Sequence, residues 1–528
     1  MADDRHGGQG KAGAGNSNGS RRVIKGRELS SAKSKAPARS NAPARSNAPA
    51  KPGNDAPARG ATEHKADRAR AAVEPHARPT AGRSASAVTP SRRAAYDALH
   101  QVLRKGAYSG LALDGVLSEM RLSAADRALA TEMFYGTLDN LIRIDWALGK
   151  LMERAPEGEV QDVLRMAAYQ LLYLERVPAN AACDEAVRLA RSLGYERATG
   201  LVNGVLRNLL RRKSELTPSK CDLDPVKYMS IAHSMPEFVC QRLVDQYGEA
   251  QAEAILAWRA ERFTVLRPNV LRISKDGFER ALDAAKLNWQ RSPVPGAYRV
   301  TGLGAIARQD IYKRGLCSVQ GESSLMCALA LDPRPGMQLM DACAAPGGKS
   351  AALIELMQGS GRVYACDIHA HRVELIRAMS ARLGHDGIKG RQWDATRFNP
   401  EWEGAMDAVL CDAPCSGLGV VSSKPDIKLN LTPEALEQLP ELQARILANC
   451  ARYVRPGGVL VYSTCTILAS ENQDVVNGFL RAHGEFGIDD VAPHVPESFR
   501  GAVQDGMLAL LGCRDGVDGF FVARMVRR

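Results

Sequence analysis

Two cysteines in the second half of this 528-residue chain have the positions expected of catalytic groups. Cys415 lies in the loop Asp-Ala-Pro-Cys-Ser-Gly and Cys465 in Tyr-Ser-Thr-Cys-Thr, and each loop follows an apolar, strand-like run. Ligands of an open α/β sheet bind outside the carboxyl ends of its strands, so we expect both thiols at one ligand site. Since a thiolate is a strong nucleophile, the pair predicts covalent catalysis on a substrate that is too inert to react unaided.

A glycine-rich turn upstream of both cysteines predicts a cofactor site. It reads Asp-Ala-Cys-Ala-Ala-Pro-Gly-Gly-Lys-Ser from Asp341 to Ser350, between a predicted strand and a predicted helix. Glycines let the backbone approach a ligand, and the free N–H groups of a helix start attract an anion. The spacing matches neither a Walker phosphate-binding loop nor the dinucleotide pattern G-x-G-x-x-G.

Two aspartates after later strands extend this predicted site. Asp367 ends the next strand, 20 residues after Gly347, where a dinucleotide-type site places an acid on the ribose hydroxyls. A helix N-cap is the alternative role for Asp367. Asp394 follows another short strand-like run and suits an adenine edge, but capping or turn chemistry explains an isolated aspartate equally well.

Alternating strand and helix patterns must position these groups. The predicted strands cover residues 337–341, 362–367, 406–412 and 459–464, and the predicted helices cover 348–357, 371–383, 434–454 and 471–483. A terminal hairpin is predicted from 507–511 and 519–525. Residues 321–528 are therefore expected to form a parallel, doubly wound α/β domain with crossover helices and an antiparallel edge.

Most of the excess positive charge lies in the first 90 residues. Residues 1–90 carry 17 Lys and Arg against 7 Asp and Glu, a net charge of +10, whereas the whole chain carries +11. The segment has no Phe, Trp, Tyr or Cys, so it cannot bury enough apolar surface to offset its ordering entropy. We predict a disordered tail. It is either a basic arm that holds RNA loosely or a solvated segment without a role.

Residues 91–215 are predicted to form a helical domain, because apolar residues recur there at helical spacing. Ser123 begins a helix-start signal, and Gly136, Pro178 and Gly194 are expected to separate helices.

Residues 216–320 are predicted to connect this domain to the α/β domain. The patterns indicate a helical stretch over 238–258, a strand over 264–272 and a βαβ-like module up to residue 309.

Three loops together resemble a known family. The strings Asp-Ala-Cys-Ala-Ala-Pro-Gly-Gly-Lys (341–349), Asp-Ala-Pro-Cys-Ser-Gly (412–417) and Ser-Thr-Cys-Thr (463–466) are similar to signatures of the Nop/Sun family of RNA cytosine-5 methyltransferases. The segments 169–178 and 200–207 resemble the NusB-like RNA-binding fold. The resemblance covers about residues 91–528. It implies an all-α NusB-like domain, a small α+β connector and a Rossmann-like class I methyltransferase domain.

The resemblance also implies S-adenosylmethionine as the cofactor. Asp367 is expected to bind its ribose and Asp394 its adenine, while Asp412 contacts either the cofactor amino group or the cytosine edge. Lys349 is left with two possible roles, catalysis or orientation of the loop. The methionine end is expected on the glycine-rich loop, at Cys343, Ala344, Ala345, Pro346, Gly347, Gly348 and Lys349.

Methylation at cytosine C5 explains the need for thiols. C5 becomes nucleophilic after a thiolate adds to C6, and the C5 proton and the thiolate must then leave. The residues alone do not say which cysteine attacks. DNA cytosine methyltransferases use the Pro-Cys loop, which here means Cys415, whereas the family resemblance assigns attack to Cys465 and product release to Cys415.

Composition restricts the setting. The chain has 12 cysteines, no signal-peptide pattern, no C-x-x-C pair and no apolar run near the roughly 20 residues that span a bilayer. We therefore expect reduced thiols in the cytoplasm, no metal site and no membrane contact. The expected partner is ribosomal RNA, as 16S RNA or within a small-subunit precursor particle, and no obligate protein partner is inferred.

Two other functions remain open at this point. A DNA cytosine methyltransferase needs a target-recognition segment and a Glu-Asn-Val loop, and the sequence has neither; Glu471-Asn472 falls after the second cysteine loop. A non-catalytic RNA-binding or assembly factor would be indicated by a lost cysteine or a broken cofactor loop, and both features are intact.

Overall fold

The computed structural model describes residues 87–156 and 158–528, so most of the predicted tail over residues 1–90 lies outside the described residues. The first described domain is a helical bundle around one apolar core. Its helices are α1 (Pro90–Lys105), α2 (Ser109–Glu119), α3 (Ala124–Asp139), α4 (Leu141–Gly149), α5 (Glu159–Tyr173), α6 (Ala179–Ser192) and α7 (Thr199–Arg211).

The starts and ends of these helices agree with the sequence pattern except at one glycine. Ser123 caps α3 by accepting the backbone N–H of Asp126, and Pro178 precedes α6. Gly136 was expected to separate helices, and this prediction was wrong, because it lies within α3. A Cβ atom there would lie 1.9 Å from the Tyr169 ring of α5, so this glycine permits close helix packing rather than a turn.

The connector contains the helices α8 (Pro225–His233), α9 (Glu237–Tyr247) and α10 (Glu249–Ala257), followed by a small sheet. That sheet has the order β2-β3-β1-β4, with α11 between β1 and β2 and α12 before β4. The elements are β1 (Thr264–Pro268), α11 (Lys275–Ala284), β2 (Asn288–Arg291), β3 (Tyr298–Thr301), α12 (Asp310–Lys313) and β4 (Cys317–Val319).

The connector contains the predicted βαβ-like unit, with a third strand inserted between its two strands: β1 and β2 both pair antiparallel with β3, so they run parallel to each other, and α11 connects them. Strand β1 pairs antiparallel with both β3 and β4, and β2 pairs antiparallel with β3. Strand β1 ends at Pro268 rather than continuing to residue 272. The chain turns after Pro268, because the carbonyl oxygen of Asn269 accepts the backbone N–H groups of Arg272 and Ile273. The module is the small α+β unit that was expected.

The C-terminal domain begins with α13 (Glu322–Leu331) and is built on one mixed sheet. Its strands are β5 (Gln338–Asp341), β6 (Arg362–Asp367), β7 (Ile388–Gln392), β8 (Met406–Asp412), β9 (Val454–Thr464), β10 (Phe486–Ile488), β11 (Val503–Gln504), β12 (Met507–Leu510) and β13 (Phe520–Arg527). The order is β11-β12-β13-β9-β8-β5-β6-β7, with β10 beside β13.

Strand directions confirm the predicted fold class. Along the sheet order β9-β8-β5-β6-β7, every pair of neighbouring strands is parallel. Strand β13 instead pairs antiparallel with β9 and β12. Helices α13, α14 (Gly348–Leu356) and α15 (Ala370–Leu383) pack on one face, and α17 (Pro433–Tyr453) and α18 (Gln473–Ala482) pack on the other. The remaining short helices are α16 (Ile427–Asn430) and α19 (Gly512–Asp515).

The segment before α17 contacts the helical bundle. The Lys428 ammonium group, which is buried, lies 2.9 Å from an Asp139 carboxylate oxygen at the end of α3. Asp426 accepts the backbone N–H of Ser109 at 3.2 Å. These contacts join the α/β domain to the bundle directly after the Cys415 loop. Throughout the described ranges, helices are too short or too polar to cross a bilayer.

Candidate active site

The structure brings the two predicted cysteines together. Their Sγ atoms lie 3.3 Å apart, and the backbone N–H of Cys465 donates to the Cys415 sulfur at 3.3 Å. Strands β8 and β9 are parallel neighbours, so the two loops leave the sheet side by side. Gly419 permits this close approach, because its backbone N–H donates to the carbonyl oxygen of Cys465 at 2.9 Å and a Cβ atom there would lie 2.9 Å from that same oxygen.

The two thiols have opposite electrostatic environments. The hydrogen bond with Cys415 lowers the pKa of Cys465 despite burial, and the positive charges of Lys349 and Lys424 add to this effect. The same hydrogen bond, burial and the negative charge of Glu471 raise the pKa of Cys415 well above that of a free thiol. These influences favour the thiolate of Cys465 over the thiolate of Cys415.

Asp412 at the end of β8 is held by two neighbours. It accepts from the Lys349 ammonium group at 2.8 Å and from the Ser463 hydroxyl at 2.8 Å. Lys349 also lies over the Phe520 ring. This buried pairing with Asp412 raises the pKa of Lys349 above that of a free lysine, although burial alone would lower it. Lys349 therefore keeps its positive charge and is held next to Asp412.

A pocket of about 400 Å³ opens at the carboxyl ends of the parallel strands and reaches both thiols. Seven of the predicted site residues line it: Cys343, Ala345, Asp367, Asp394, Asp412, Cys415 and Cys465. Five members of the predicted glycine-rich loop do not line it: Ala344, Pro346, Gly347, Gly348 and Lys349. The loop thus contributes its first half to the pocket wall and its second half to the start of α14.

The two outer aspartates have different local bonds. Asp367, which is buried, accepts the backbone N–H of His369 at 3.0 Å and lies 3.3 Å from the Arg372 guanidinium group. Asp394 accepts both the hydroxyl and the backbone N–H of Thr396, and these hydrogen bonds lower its pKa. The turn chemistry considered for Asp394 is therefore present, while its side chain also lines the pocket.

Several residues at the site were not predicted. Ile368, Trp393 and Leu442 form apolar parts of the pocket wall, and Glu471 lies behind the cysteine loops with no exposed surface. Ile368 and Trp393 directly adjoin the predicted aspartates, so their positions next to strand ends were an available signal. Leu442 and Glu471 are brought to the site by long-range packing, which spacing along the chain does not reveal.

The comparisons with known proteins agree with this arrangement. Residues 328–526 match the family model described as 16S rRNA methyltransferase RsmB/F, and residues 89–211 match the NusB family. A protein of Bacillus subtilis named "Probable ribosomal RNA small subunit methyltransferase B" is 37% identical over 83% of this chain and 99% of its own length. The ribosomal RNA small subunit methyltransferase B of Shewanella oneidensis is 31% identical over 83% of this chain and 99% of its own length.

A solved structure supports the fold over the same extent. The protein in "Crystal Structure of PH0851" has a TM-score of 0.72 and 23% identity, and the match covers 83% of this chain and 99% of that chain. Together with the family models, these relatives confirm the NusB-like and methyltransferase domains, and with them S-adenosylmethionine as the cofactor. The chain belongs to the family of ribosomal RNA small subunit methyltransferases B.

Proposed function

We propose that the protein methylates C5 of a cytosine in small-subunit ribosomal RNA through a transient bond between Cys465 and C6 of the base. The observation that carries this proposal is the pair of thiols 3.3 Å apart at the edge of a pocket lined by carboxylates. Two adjacent thiols suit a reaction that both forms and breaks a bond to sulfur.

The pocket fits S-adenosylmethionine by its chemistry. The carboxylates of Asp367 and Asp394 are acceptors suited to ribose hydroxyls and to an adenine amino group, and Ile368 and Trp393 supply apolar walls for a nucleoside. Cys343 and Ala345, which line the pocket, are suited to hold the methionine end in this proposal. When bound, S-adenosylmethionine supplies an electrophilic methyl group to C5.

Cys465 performs the first protein step. Its thiolate forms a bond to C6, the C5–C6 double bond opens, and the electron pair makes C5 nucleophilic. The pKa of Cys465, lowered by the hydrogen bond with Cys415, keeps more of this thiol ionised near neutral pH. An extruded base would present C6 to this sulfur.

Cys415 performs the release step. When Cys465 becomes bonded to carbon, it loses the negative charge and the acceptor that raise the pKa of Cys415. Cys415 then loses its proton to solvent and accepts the proton from C5. The C5–H electron pair restores the double bond, and the pair of the S–C6 bond returns to Cys465 as thiolate.

Asp412 and Lys349 act as a pair in this proposal. Lys349 fixes one oxygen of Asp412, and Ser463 fixes the other, so the carboxylate presents a defined edge to the pocket. That edge suits either the cofactor amino group or the exocyclic amine of cytosine. The pairing assigns Lys349 to the orientation of Asp412 rather than to direct proton transfer.

The RNA substrate is inferred from the family and from the domains. The relatives are named for ribosomal RNA of the small subunit, and the N-terminal bundle matches the NusB family. We infer that 16S RNA, free or within a small-subunit precursor particle, is the substrate, and that the protein acts in the cytoplasm.

Two measurements test this function. Purified protein should bind labelled S-adenosylmethionine and transfer the methyl group to small-subunit RNA from a deletion strain. Bisulfite sequencing of that RNA should show one cytosine that becomes protected only after treatment with the protein. Binding of RNA without binding of S-adenosylmethionine would instead support a non-catalytic assembly factor.

A further inference from the structure

A buried carboxyl group behind the active site joins the two cysteine loops. Glu471 accepts the backbone N–H of Ser416 at 2.9 Å and the Ser416 hydroxyl at 2.5 Å. It also accepts the hydroxyl of Thr466 at 3.1 Å. Ser416 follows Cys415 and Thr466 follows Cys465, so one side chain is bonded to the residue after each cysteine.

Gln443 of α17 completes the contacts around Cys415. Its amide nitrogen donates to Glu471 at 2.9 Å and to the carbonyl oxygen of Pro414 at 3.0 Å. Since Pro414 precedes Cys415 and Ser416 follows it, the backbone is held on both sides of this cysteine.

Asn472 has the same relation to Cys465. Its side-chain oxygen accepts the hydroxyl of Thr464, and its side-chain nitrogen donates to the carbonyl oxygen of Thr466 at 3.1 Å. The residues on both sides of Cys465 are therefore bonded to the pair Glu471-Asn472.

This network does not reach the substrate. Glu471, Gln443 and Asn472 are absent from the described lining of the pocket, and Glu471 has no exposed surface. Burying a carboxyl group costs free energy unless hydrogen bonds compensate for lost hydration. Here the compensating bonds all lead to the two cysteine loops or to the residue that holds one of them.

We propose that Glu471, supported by Gln443 and Asn472, is a positioning residue that sets the separation of the Cys415 and Cys465 sulfur atoms. This inference rests on the proposed function, because it assumes that both thiols act on one substrate. Loss of the network should let the loops move apart, and misplacement by about 1 Å is enough to reduce turnover on the order of 100-fold.

The first test compares Glu471→Ala with Glu471→Gln. Alanine removes every side-chain bond of Glu471 and leaves the direct bond between the Ser416 and Thr466 hydroxyls, at 2.7 Å, to join the two loops. Glutamine keeps one acceptor for the Ser416 N–H and an amide that can donate to the Ser416 and Thr466 hydroxyls. We expect turnover to fall about 10- to 100-fold in Glu471→Ala with unchanged KM for RNA and unchanged affinity for S-adenosylmethionine. Glu471→Gln should stay within about threefold of wild type.

A second readout measures the separation of the thiols without methylation. Diamide removes one hydrogen from each thiol and is reduced to a hydrazine while the S–S bond forms. Mass spectrometry should show rapid formation of the Cys415–Cys465 disulfide in wild type and in Glu471→Gln, and at least about tenfold slower formation in Glu471→Ala. Glu185→Ala, which removes a buried carboxyl group in the helical bundle, is the matched control and should match wild type.

The outcomes separate this inference from the proposed function. Wild-type turnover and disulfide rates in Glu471→Ala would overturn the inference, as would equal defects in Glu471→Ala and Glu471→Gln. If Glu471→Ala does not fold, the double variant Ser416→Ala with Thr466→Val replaces it, because this variant removes the two hydroxyl groups that donate to Glu471. Disulfide formation must then be slower than in wild type, and an unchanged rate would overturn the inference. Absence of methylation in wild type would contradict the proposed function instead.

Discussion

The loops that carry Cys415 and Cys465 follow adjacent parallel strands and end at the same pocket, yet their surroundings differ in charge. The positive charges of Lys349 and Lys424 lower the pKa of Cys465 against the opposing charge of Asp412, whereas the negative charge of Glu471 raises the pKa of Cys415. Similar backbone positions thus give one thiol with a lowered pKa and one with a raised pKa.

This difference shows how two chemically identical side chains acquire separate roles. The residue type supplies the sulfur, but the neighbours set the direction in which the pKa of each thiol shifts. Asp412 is the one charged residue within the two cysteine loops that acts on a thiol. Lys349, Lys424 and Glu471 come from other segments of the chain. The comparison between the two loops can therefore be tested by changing either the thiols or those neighbours.

Removal of the attacking thiol should have the largest effect. Cys465→Ala cannot form the bond to C6, so methylation should fall by at least about 10⁴-fold, and no covalent RNA complex should form. Methyl transfer and denaturing gel electrophoresis measure the two results. S-adenosylmethionine affinity is the control and should stay near wild type, and a persistent RNA complex in this variant would reverse the roles of the two loops.

Removal of the releasing thiol should slow turnover but preserve attack. Cys415→Ala should accumulate a covalent protein–RNA complex, while turnover falls about 10²- to 10⁴-fold because proton removal from C5 is impaired. The gel assay detects the complex, and protease treatment should release the RNA from it. If Cys415→Ala gives no complex and Cys465→Ala does, the assignment is wrong.

A smaller effect is expected when charge near Cys465 is removed. Lys424 is exposed, so Lys424→Gln should lower the alkylation rate of Cys465 at neutral pH by about twofold to fivefold. The sign follows from the thiolate: losing a positive charge raises the pKa of Cys465, and the rate profile moves to higher pH. Iodoacetamide labelling measured across pH tests this result, with Lys105→Gln in α1 as the control. A profile that moves to lower pH would contradict the charge comparison.

The contact between domains should affect stability more than chemistry. Lys428→Met removes the nearer cation of Asp139 and leaves only the Arg259 guanidinium group, 3.9 Å away. We expect the free energy of unfolding to fall by about 1–2 kcal/mol, because Asp139 is partly exposed. Denaturant unfolding measures this change. The pH profile of Cys465 alkylation should stay unchanged, and a shift comparable to that of Lys424→Gln would mean that domain docking also sets the thiol environment.

Local patterns were sufficient for two of the strands that end at the pocket. The strands over residues 362–367 and 406–412 have the predicted limits, because each is an apolar run that ends in an aspartate. The start of β9 and Gly136 show the limit of local patterns. Strand β9 begins at Val454 rather than at residue 459, since Val454 pairs with Met406 of β8, and the role of Gly136 depends on Tyr169 from another helix.

The site was predictable only in part for a similar reason. Strand ends and motif spacing indicated Cys415, Cys465 and Asp412, which do meet at one pocket. Spacing could not indicate that Lys349 points to Asp412 rather than into the pocket, since that depends on how α14 leaves the sheet. Glu471 was visible only as part of a helix start, because its bonds to both cysteine loops arise from tertiary packing.

RNA that contains 5-fluorocytidine would identify the attacking sulfur. Fluorine at C5 cannot leave as a proton does, so the bond between the enzyme and C6 should persist after methyl transfer. Protease digestion and tandem mass spectrometry then identify the cysteine that carries the modified pyrimidine. We expect the pyrimidine on Cys465, and a pyrimidine attached to Cys415 would show that the roles assigned to the two thiols are reversed.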